Sequence, residues 1–408
     1  MFLGFAFRNI WRNKRRTIIT ALSVFFAVIL GIFMQSASYG SLERMLDNML
    51  KFQSGYLQVQ AHDFKNQPSL DNNFEWSEDF LAKLSKSVDT ANFQFLPKIQ
   101  TVALAGSEEN TRVVQVVGTQ PQAEDKANQL SSYLVSGSFL EEGEHAVLIG
   151  RSLAERLNMK VGDTMVVFGQ GFMGVNAAAL LPIKGILDHH IREINETYLC
   201  MPLSVADEVF GMYGHITNLI INPLRTSANM FQVRESLKAE LDESIFQVYH
   251  WEELNSNFVS MMEFDRITDQ IMIWILYLVV AFGIFGTVLT MTLERNREFG
   301  ILISIGMHPK KLMLVLAIES VCIAFLGVVF GLLVGWPMAY LLKANPIPLS
   351  GELGEMMMAY GFEPILPFST NPMIFLNQGL TVFVITMLIV LYPIWHIWRL
   401  DFLAASRR

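Results

Sequence analysis

Hydrophobic residues along this chain gather in four long, nearly uncharged runs, separated by one long and two short polar stretches. The first run is Thr17–Ala37, and the others span about Ile271–Leu293, Leu312–Leu342 and Met373–Trp398. Each run has about 20 residues or more, which is the length an α-helix needs to cross a bilayer. The pattern therefore predicts four transmembrane helices, with both termini on one side of the membrane.

Charge assigns the two sides of the membrane. Lysines and arginines flank the short connections on one side, at Arg8, Arg12, Lys14, Arg15, Arg16, Arg295, Arg297, Lys310, Lys311, Arg399, Arg407 and Arg408. Short loops rich in basic residues remain in the cytoplasm. The stretch from Tyr39 to Thr268 instead holds 17 Lys/Arg against 30 Asp/Glu, and we place it outside the cytoplasm.

The predicted segments follow from these two patterns. They are a cytoplasmic N-terminal segment 1–16, a first membrane helix 17–37, an extracytoplasmic domain 38–270, a second membrane helix 271–293, a cytoplasmic segment 294–311, a third membrane helix 312–342, an extracytoplasmic loop 343–372, a fourth membrane helix 373–398 and a cytoplasmic tail 399–408. A cysteine placed at Glu124 is expected to be exposed outside, and one at Asn296 inside. A signal peptide with a weak cleavage site at Ser36-Ala37-Ser38 is the alternative for the first run.

Helical periodicity continues from the membrane runs into both ends of the outer domain. Apolar residues recur there at three-and-four spacing, at Tyr39, Leu42, Leu46, Met49, Trp251, Leu254, Phe258, Met261 and Phe264. This spacing predicts two helical stalks, each with one apolar stripe. The stripes either pack against the domain or against each other.

Short strands and helices fill the sequence between the stalks. The pattern here is typical of short strands at 56–60, 113–117, 146–149, 165–168, 183–187, 197–201 and 219–221. Helices are predicted at 78–86, 151–157, 202–210 and 227–241. The fold class is an α-helical membrane protein with four transmembrane helices and an α+β extracytoplasmic domain, in two subdomains, inserted between the first and second helices.

Composition and the candidate reactive residues limit the class of protein and the kinds of site it could hold. The chain is 52% hydrophobic with a mean hydropathy of +0.35, which is too apolar for an ordinary soluble protein. Its two cysteines, Cys200 and Cys322, are too few for a disulfide framework and are expected to be free thiols. His189 and His190 are predicted to lie in a solvated turn rather than in a metal site. The sequence contains no phosphate-binding loop, so we expect a separate polypeptide to hydrolyse ATP. No catalytic constellation is recognisable either, and we expect no catalytic residue, metal or cofactor on this chain and no nucleic acid partner.

Two features lie within the third membrane run. Gly327, Gly331 and Gly335 recur every fourth residue and predict a face on which another helix packs closely. Glu319 is an ionisable group in an apolar helix, which is costly unless it is paired. It either makes hydrogen bonds near the cytoplasmic end or relays protons.

The segment between the second and third membrane runs has a charged and then apolar pattern over 294–307. Phe299, Leu302 and Ile303 fall at i, i+3 and i+4, which suits one face of a short surface helix. Gly300 and Gly306 interrupt the helical pattern of this segment. A basic loop that only fixes topology is the alternative.

This run, Glu-Arg-Asn-Arg-Glu-Phe-Gly-Ile-Leu-Ile-Ser-Ile-Gly-Met, resembles the coupling helix of the FtsX/MacB/LolC-LolE group of ABC transporter permeases. The segment Gly143–Asp163 also resembles part of the outer domains of MacB and LolC/LolE. The resemblance implies that the helix docks into a dimeric cytoplasmic ATPase, which binds ATP and Mg. It implies these coupling residues: Glu294, Arg295, Arg297, Glu298, Phe299, Gly300, Leu302, Ile303, Gly306 and Met307.

A glycine-rich, uncharged connection, Gly169–Leu181, lies between two predicted strands. Phe172 and Met173 either tuck under the domain or form a hairpin that grips a partner. At the matching place, LolC-type permeases carry a hook that recruits a lipoprotein chaperone, although the segment here lacks proline and arginine. A periplasmic chaperone or adaptor is therefore a candidate partner.

The resemblance implies the permease subunit of an ABC transporter in a bacterial inner membrane, with its large domain in the periplasm. Its partners would be a separate ATPase and a second permease copy or a paralogue. Its cargo would be lipophilic, in the manner of lipoprotein release. The alternatives are an FtsX-like transducer that activates a cell-wall hydrolase, and an efflux or antibiotic-peptide permease.

Overall fold

The computed structural model describes residues 11, 14–89, 92–107, 110–189, 191–224, 229–294, 296–359 and 363–399. The described residues form two compact units. A membrane unit contains the described parts of 1–44, 262–347 and 365–408. An outer unit contains those of 45–261 and 348–364.

Helices occur in both units. In chain order they are α1 Lys14–Met49, α2 Glu78–Ser87, α3 Pro121–Asn128, α4 Arg151–Leu157, α5 Arg192–Thr197, α6 Leu203–Phe210, α7 Met230–Glu240, α8 Trp251–Leu254, α9 Ser256–Glu294, α10 Asn296–Ser304, α11 Pro309–Ala344, α12 Glu352–Ala359 and α13 Pro372–Arg399.

Four helices among the described residues are long and apolar enough to cross a membrane, namely α1, α9, α11 and α13. Their number agrees with the four apolar runs of the sequence. Helices α1 and α9 extend beyond the predicted spans because α1 includes the first stalk and α9 includes Phe258, Met261 and Phe264 of the second. Trp251 and Leu254, which were predicted to continue the second stalk, lie in the separate short helix α8, because the helix is interrupted at Asn255. A π-helical turn at Leu50–Ser54 ends the first of them, and Gly55 follows with a φ of 64°, a conformation that glycine adopts without strain.

The strands are β1 Leu57–Ala61, β2 Phe74–Glu75, β3 Phe93–Gly106, β4 Thr111–Thr119, β5 Leu134–Gly137, β6 Val147–Gly150, β7 Thr164–Gln170, β8 Asn176–Leu187, β9 Tyr198–Pro202, β10 His215–Ile216, β11 Asn218–Pro223, β12 Phe246–His250, β13 Ile347–Pro348 and β14 Ile365–Leu366. The structure has a strand at each of the seven predicted positions. It also has strands that the sequence pattern did not predict, of which β3, with 14 residues, is the longest.

Strand β3 joins two parts of the outer unit. Its first half pairs with β11 in an antiparallel sheet of order β12-β1-β11-β3. Its second half pairs with β4 and β7, and the pairings β3-β4-β9-β6-β8-β7-β3 close a ring of six strands. Alternate side chains such as Val114, Met165 and Val167 belong to the buried core of this small barrel.

A buried ion pair lies where β3 passes from sheet to barrel. Lys98 Nζ is 2.9 Å from Glu124 Oε1, and both side chains are less than 5% exposed. The Thr119 hydroxyl and the Asn128 amide also donate to Glu124. The expectation that Glu124 is exposed was therefore wrong, because its partner Lys98 lies on a strand that the pattern did not reveal.

Candidate functional site

The segment between α9 and α11 contains the helix α10, Asn296–Ser304. The turn continues for one residue, since the Ile305 amide donates to the Ile301 carbonyl at 3.1 Å. Gly306 then ends it with a φ of 101°, which side-chain-bearing residues rarely adopt. The His308 side chain caps the next helix by accepting from the Lys310 amide at 3.2 Å.

One side of this segment packs within the membrane unit. Ile303 and Met307 are half-buried against Leu312 and Leu316 of α11 and Ile394 of α13. Gly300 is also buried. This side therefore fixes the segment to the ends of two membrane helices.

The other side exposes two isoleucines that the sequence analysis did not select. Ile301 is 49% exposed and Ile305 is 79% exposed. Their i, i+4 spacing places them on one face, and this spacing was the sequence signal that could have identified them. The charged Glu298 is exposed on the same helix.

The remaining predicted coupling residues are described only in part. Glu294 is exposed at the end of α9. Arg295 lies outside the described residues, as do the side chains of Arg297, Phe299 and Leu302. Their proposed contact with an ATPase therefore stays a prediction from the sequence.

The three glycines of α11 lie against α1. A Cβ atom at Gly327, Gly331 or Gly335 would come within 2.6–2.7 Å of a side-chain carbon. The residues contacted are Val24, Val28 and Ile32. Glycine allows the two helices to approach this closely, because any side chain would overlap with the facing residues.

A polar chain also links three membrane helices. The Tyr277 hydroxyl on α9 donates to Gln378 Oε1 on α13 at 2.7 Å, and Gln378 Nε2 donates to Gln35 Oε1 on α1 at 2.5 Å. Gly31 makes room for the Gln378 side chain. The sequence analysis missed these residues, because Gln35 and Gln378 lie beside other polar residues near the ends of apolar runs and only Tyr277 stands alone in one.

The predicted stalk residues differ in burial. Leu42, Leu46, Leu254 and Phe258 are half-buried and Met49 is buried. Met261 is 44% exposed. Where α1 and α9 both lie in the membrane unit, the Ser38 hydroxyl donates to the Asp269 carboxylate.

The connection Gly169–Leu181 is a β-hairpin formed by β7 and β8. Phe172 is half-buried against the core and lies beside the His215 ring. Met173 is 78% exposed and has a φ of 55°. Its backbone amide donates to Asp71 Oδ1 at 2.7 Å. Phe172 thus tucks under the domain, whereas partner binding by Met173 stays a prediction.

His189 corrects another expectation. It is 3% exposed rather than solvated, and its ring lies between Phe52 and Tyr133, with centroids 4.2 and 4.1 Å away. Aromatic packing accounts for this burial. His190 lies outside the described residues.

Within the described ranges, no group of three or more His, Cys, Asp or Glu residues is arranged to hold a metal ion. Cys200 and Cys322 are both free thiols, as predicted. Burial, reinforced by the charge of Glu124, raises the pKa of Cys200 to about 12, so this thiol is unreactive at neutral pH.

Glu319 is 1% exposed within α11.

Comparison with known proteins is consistent with this architecture. The MacB-like periplasmic core domain family matches residues 17–240, which is more than half of the chain, and the FtsX-like permease C-terminal family matches residues 270–402. An uncharacterized ABC transporter permease of Methanocaldococcus jannaschii is 24% identical over 366 residues, 87% of each chain. The lipoprotein-releasing system transmembrane protein LolC of Xylella fastidiosa is 22% identical over 75% of each chain.

Two solved outer domains also match. The extracellular domain of the noncanonic ABC-type transporter YknZ from Gram-positive bacteria is 14% identical, with a TM-score of 0.35, over 48% of this chain and 99% of that one. The periplasmic region of MacB from Actinobacillus actinomycetemcomitans is 12% identical, with a TM-score of 0.36, over 53% and 97%. From the family matches, this chain belongs to the ABC transporter permeases that combine a MacB-like periplasmic core domain with an FtsX-like permease C-terminal region.

Proposed function

We propose that this permease couples ATP hydrolysis by a separate, dimeric cytoplasmic ATPase to movement of a lipophilic cargo by its outer unit, with α10 as the docking helix. The observation that carries the proposal is the two-sided character of α10 together with the residues that follow it as far as Met307. Ile303 and Met307 attach it to the membrane unit, whereas Ile301 and Ile305 remain exposed.

The exposed isoleucines favour a protein partner on energetic grounds. Burying one such side chain contributes about 1.5–3 kcal/mol, and two on one face provide a compact apolar anchor. The basic residues of the short connections favour a cytoplasmic position for this segment. Phe299, predicted from the sequence as a further anchor, would belong to the same contact. The ATPase would supply ATP and Mg, since this chain has no phosphate-binding loop.

The cargo proposal is lipoprotein release or transfer of a related lipophilic molecule. Its support is the similarity to LolC, which is a lipoprotein-releasing protein by name. The second permease subunit would be another copy of this chain or a paralogue. A periplasmic chaperone or adaptor would receive the cargo.

Binding of the full-length permease in nanodiscs to its purified cognate ATPase tests the docking role. Ile301→Asp places a charge on the exposed face and should weaken binding about tenfold or more, and Phe299→Ala should weaken it about thirtyfold. Lys310→Ala, at an exposed position beside the segment, should change binding little.

Stimulated ATPase turnover provides the second readout. Unchanged binding and turnover in both Ile301→Asp and Phe299→Ala, with normal membrane insertion, would show that the segment is only a topology loop. Val135→Asp is the matched control for an exposed apolar residue, because Val135 is 56% exposed on β5 of the outer unit.

A further inference from the structure

A cleft of about 660 Å³ lies on the outer unit, lined by outward residues of β3 and β4, the loop that follows β1, the end of β7 and α5. A volume of this size is within the range of ligand sites, which is about 300–1,000 Å³. Every lining residue belongs to the outer unit. The cleft is thus a feature of that unit alone and lies away from α10 in the sequence.

The floor of the cleft is apolar and exposed. Val102 is 66% exposed and Val113 is 59% exposed. Leu104 lies opposite Val113 on one side and opposite Phe168 on the other. Leu104 and Phe168 do not line the cleft but continue its uncharged apolar face beside it, across three neighbouring strands, and such a contiguous face on a soluble surface marks an interaction site.

Amide side chains adjoin this floor. Gln115 lies opposite Val102 in the strand register, and Gln170 ends β7. Among the described residues, neither of these side chains has a hydrogen-bond partner. Gln100 accepts from Asn218 at 3.2 Å, which leaves its own NH₂ group to donate into the cleft. A primary amide offers both a donor and an acceptor, which is what a peptide group requires of its partner.

Charge further limits the ligand. Glu193 is the only charged residue among the described residues that line the cleft, and no lysine, arginine or histidine lines it. A phosphate or carboxylate would meet a like charge without a compensating cation. An acyl chain would fit the valines but would make no hydrogen bond with the glutamine amides.

We propose that this cleft binds an extended polypeptide segment that is neutral or basic and carries apolar side chains. Val102 and Val113 contact the apolar side chains, and Gln115 and Gln170 hydrogen-bond to the peptide backbone. Glu193 selects against acidic sequences. This assignment does not rest on ATPase coupling, because it concerns the permease alone.

The test uses the full-length permease in nanodiscs without ATPase. The probe is a fluorescein-labelled decapeptide of alternating valine and threonine with a lysine at each end, compared with the same peptide carrying glutamates at its ends. Fluorescence anisotropy should show saturable binding of the basic probe and about tenfold weaker binding of the acidic one, a difference of about 1.4 kcal/mol. Equal affinity for both probes, or no saturable binding, would refute the proposal.

Substitutions distinguish binding in the cleft from binding to other exposed apolar residues. Val102→Glu should weaken the basic probe about tenfold or more, whereas Val135→Glu, at an exposed valine outside the cleft, should leave it unchanged. Glu193→Lys should invert the preference in favour of the acidic probe, which loss of folding cannot do. If a fluorescent fatty acid binds instead, with the same sensitivity to Val102→Glu, the cleft is a lipid site and the peptide assignment is wrong.

Discussion

Single polar residues in the membrane unit are placed where they satisfy one another. Tyr277, Gln378 and Gln35 come from three helices, and each would be costly in hydrocarbon without a partner. Together they fix the relative rotation of α1, α9 and α13, which apolar contacts alone specify less sharply. Gln378 is 1% exposed, so water does not replace a lost partner.

A double-mutant cycle between Tyr277→Phe and Gln378→Leu measures this link. We expect a coupling energy of about 0.6–2 kcal/mol, the range found for hydrogen bonds between membrane helices. The measurement is unfolding of the purified permease in detergent. Thr290→Val is the control partner for Tyr277→Phe, because Thr290 bonds only within its own helix, to the Gly286 carbonyl. A coupling energy near zero for the Tyr277–Gln378 pair would contradict the assignment.

His250 makes the stability of the outer unit depend on pH. Its ring stacks on Phe231 with centroids 4.4 Å apart. Burial lowers the pKa of His250 below its ordinary 6.5, and Arg234 lowers it further, while Glu252 and Glu253 oppose the shift. The folded state therefore binds this proton less readily than the unfolded state does. Its contribution to stability is present above pH 6.5 and is lost as the pH falls below that value.

Thermal unfolding of the permease in nanodiscs between pH 7.5 and 5 tests this sign. The unfolding temperature should fall on acidification, and His250→Gln should reduce the size of that fall. At pH 7.5, where His250 is neutral, the difference in unfolding temperature between His250→Gln and the original protein measures the packing that the substitution removes. A pH dependence identical to that of the original protein would exclude His250 as the cause.

At the scale of elements, the sequence predicts the helices and strands whose local pattern of apolar residues matches the burial they have in the fold. The membrane helices are predictable because every face meets lipid or another apolar helix, and most strands because each is a short apolar run bounded by turn residues. Strand β3 is not predictable in this way, because Pro97 and Lys98 interrupt its apolar pattern. A buried Lys98 is acceptable only because it pairs with the distant Glu124. The helical pattern of α10 is predictable from the sequence, but which of its faces remains exposed is not. The positions of α11 and α13 decide that the face with Ile303 is packed and the face with Ile301 is exposed.

The contact between α1 and α11 depends on small residues. Gly331→Val would place a side chain within 2.7 Å of Val28 Cβ, and we expect a loss of about 1–3 kcal/mol from overpacking. Gly286→Val on α9 is the matched control, because no atom lies within 4 Å of a Cβ built there. The measurement is thermal unfolding in detergent. Equal stability of the two variants would mean that α1 and α11 do not rely on close approach.

At the scale of the whole molecule, the charge pattern predicts that the outer unit lies outside the cytoplasm and that the connection around α10 lies inside it. A single cysteine tests this assignment in a variant in which Cys200 and Cys322 are replaced by alanine. Val135 replaces Glu124 as the outer position, because Glu124 is buried whereas Val135 is 56% exposed. Lys310, which is exposed beside α10, is the inner position. In intact spheroplasts a membrane-impermeant maleimide should label Val135→Cys but not Lys310→Cys. The reverse pattern, or labelling of both, would overturn the topology.

The coupling role of α10 is the central claim, and a photo-crosslinker at Ile301 tests it most directly. The permease is co-expressed with its cognate ATPase, with a benzophenone amino acid at Ile301 or, as a control, at Val135. Ile301 is 49% exposed, so the substitution leaves the packed side of the helix intact. We predict a crosslink to the ATPase from Ile301 and none from Val135. An assembled, active complex that gives no ATPase crosslink from Ile301 would contradict the docking of this helix.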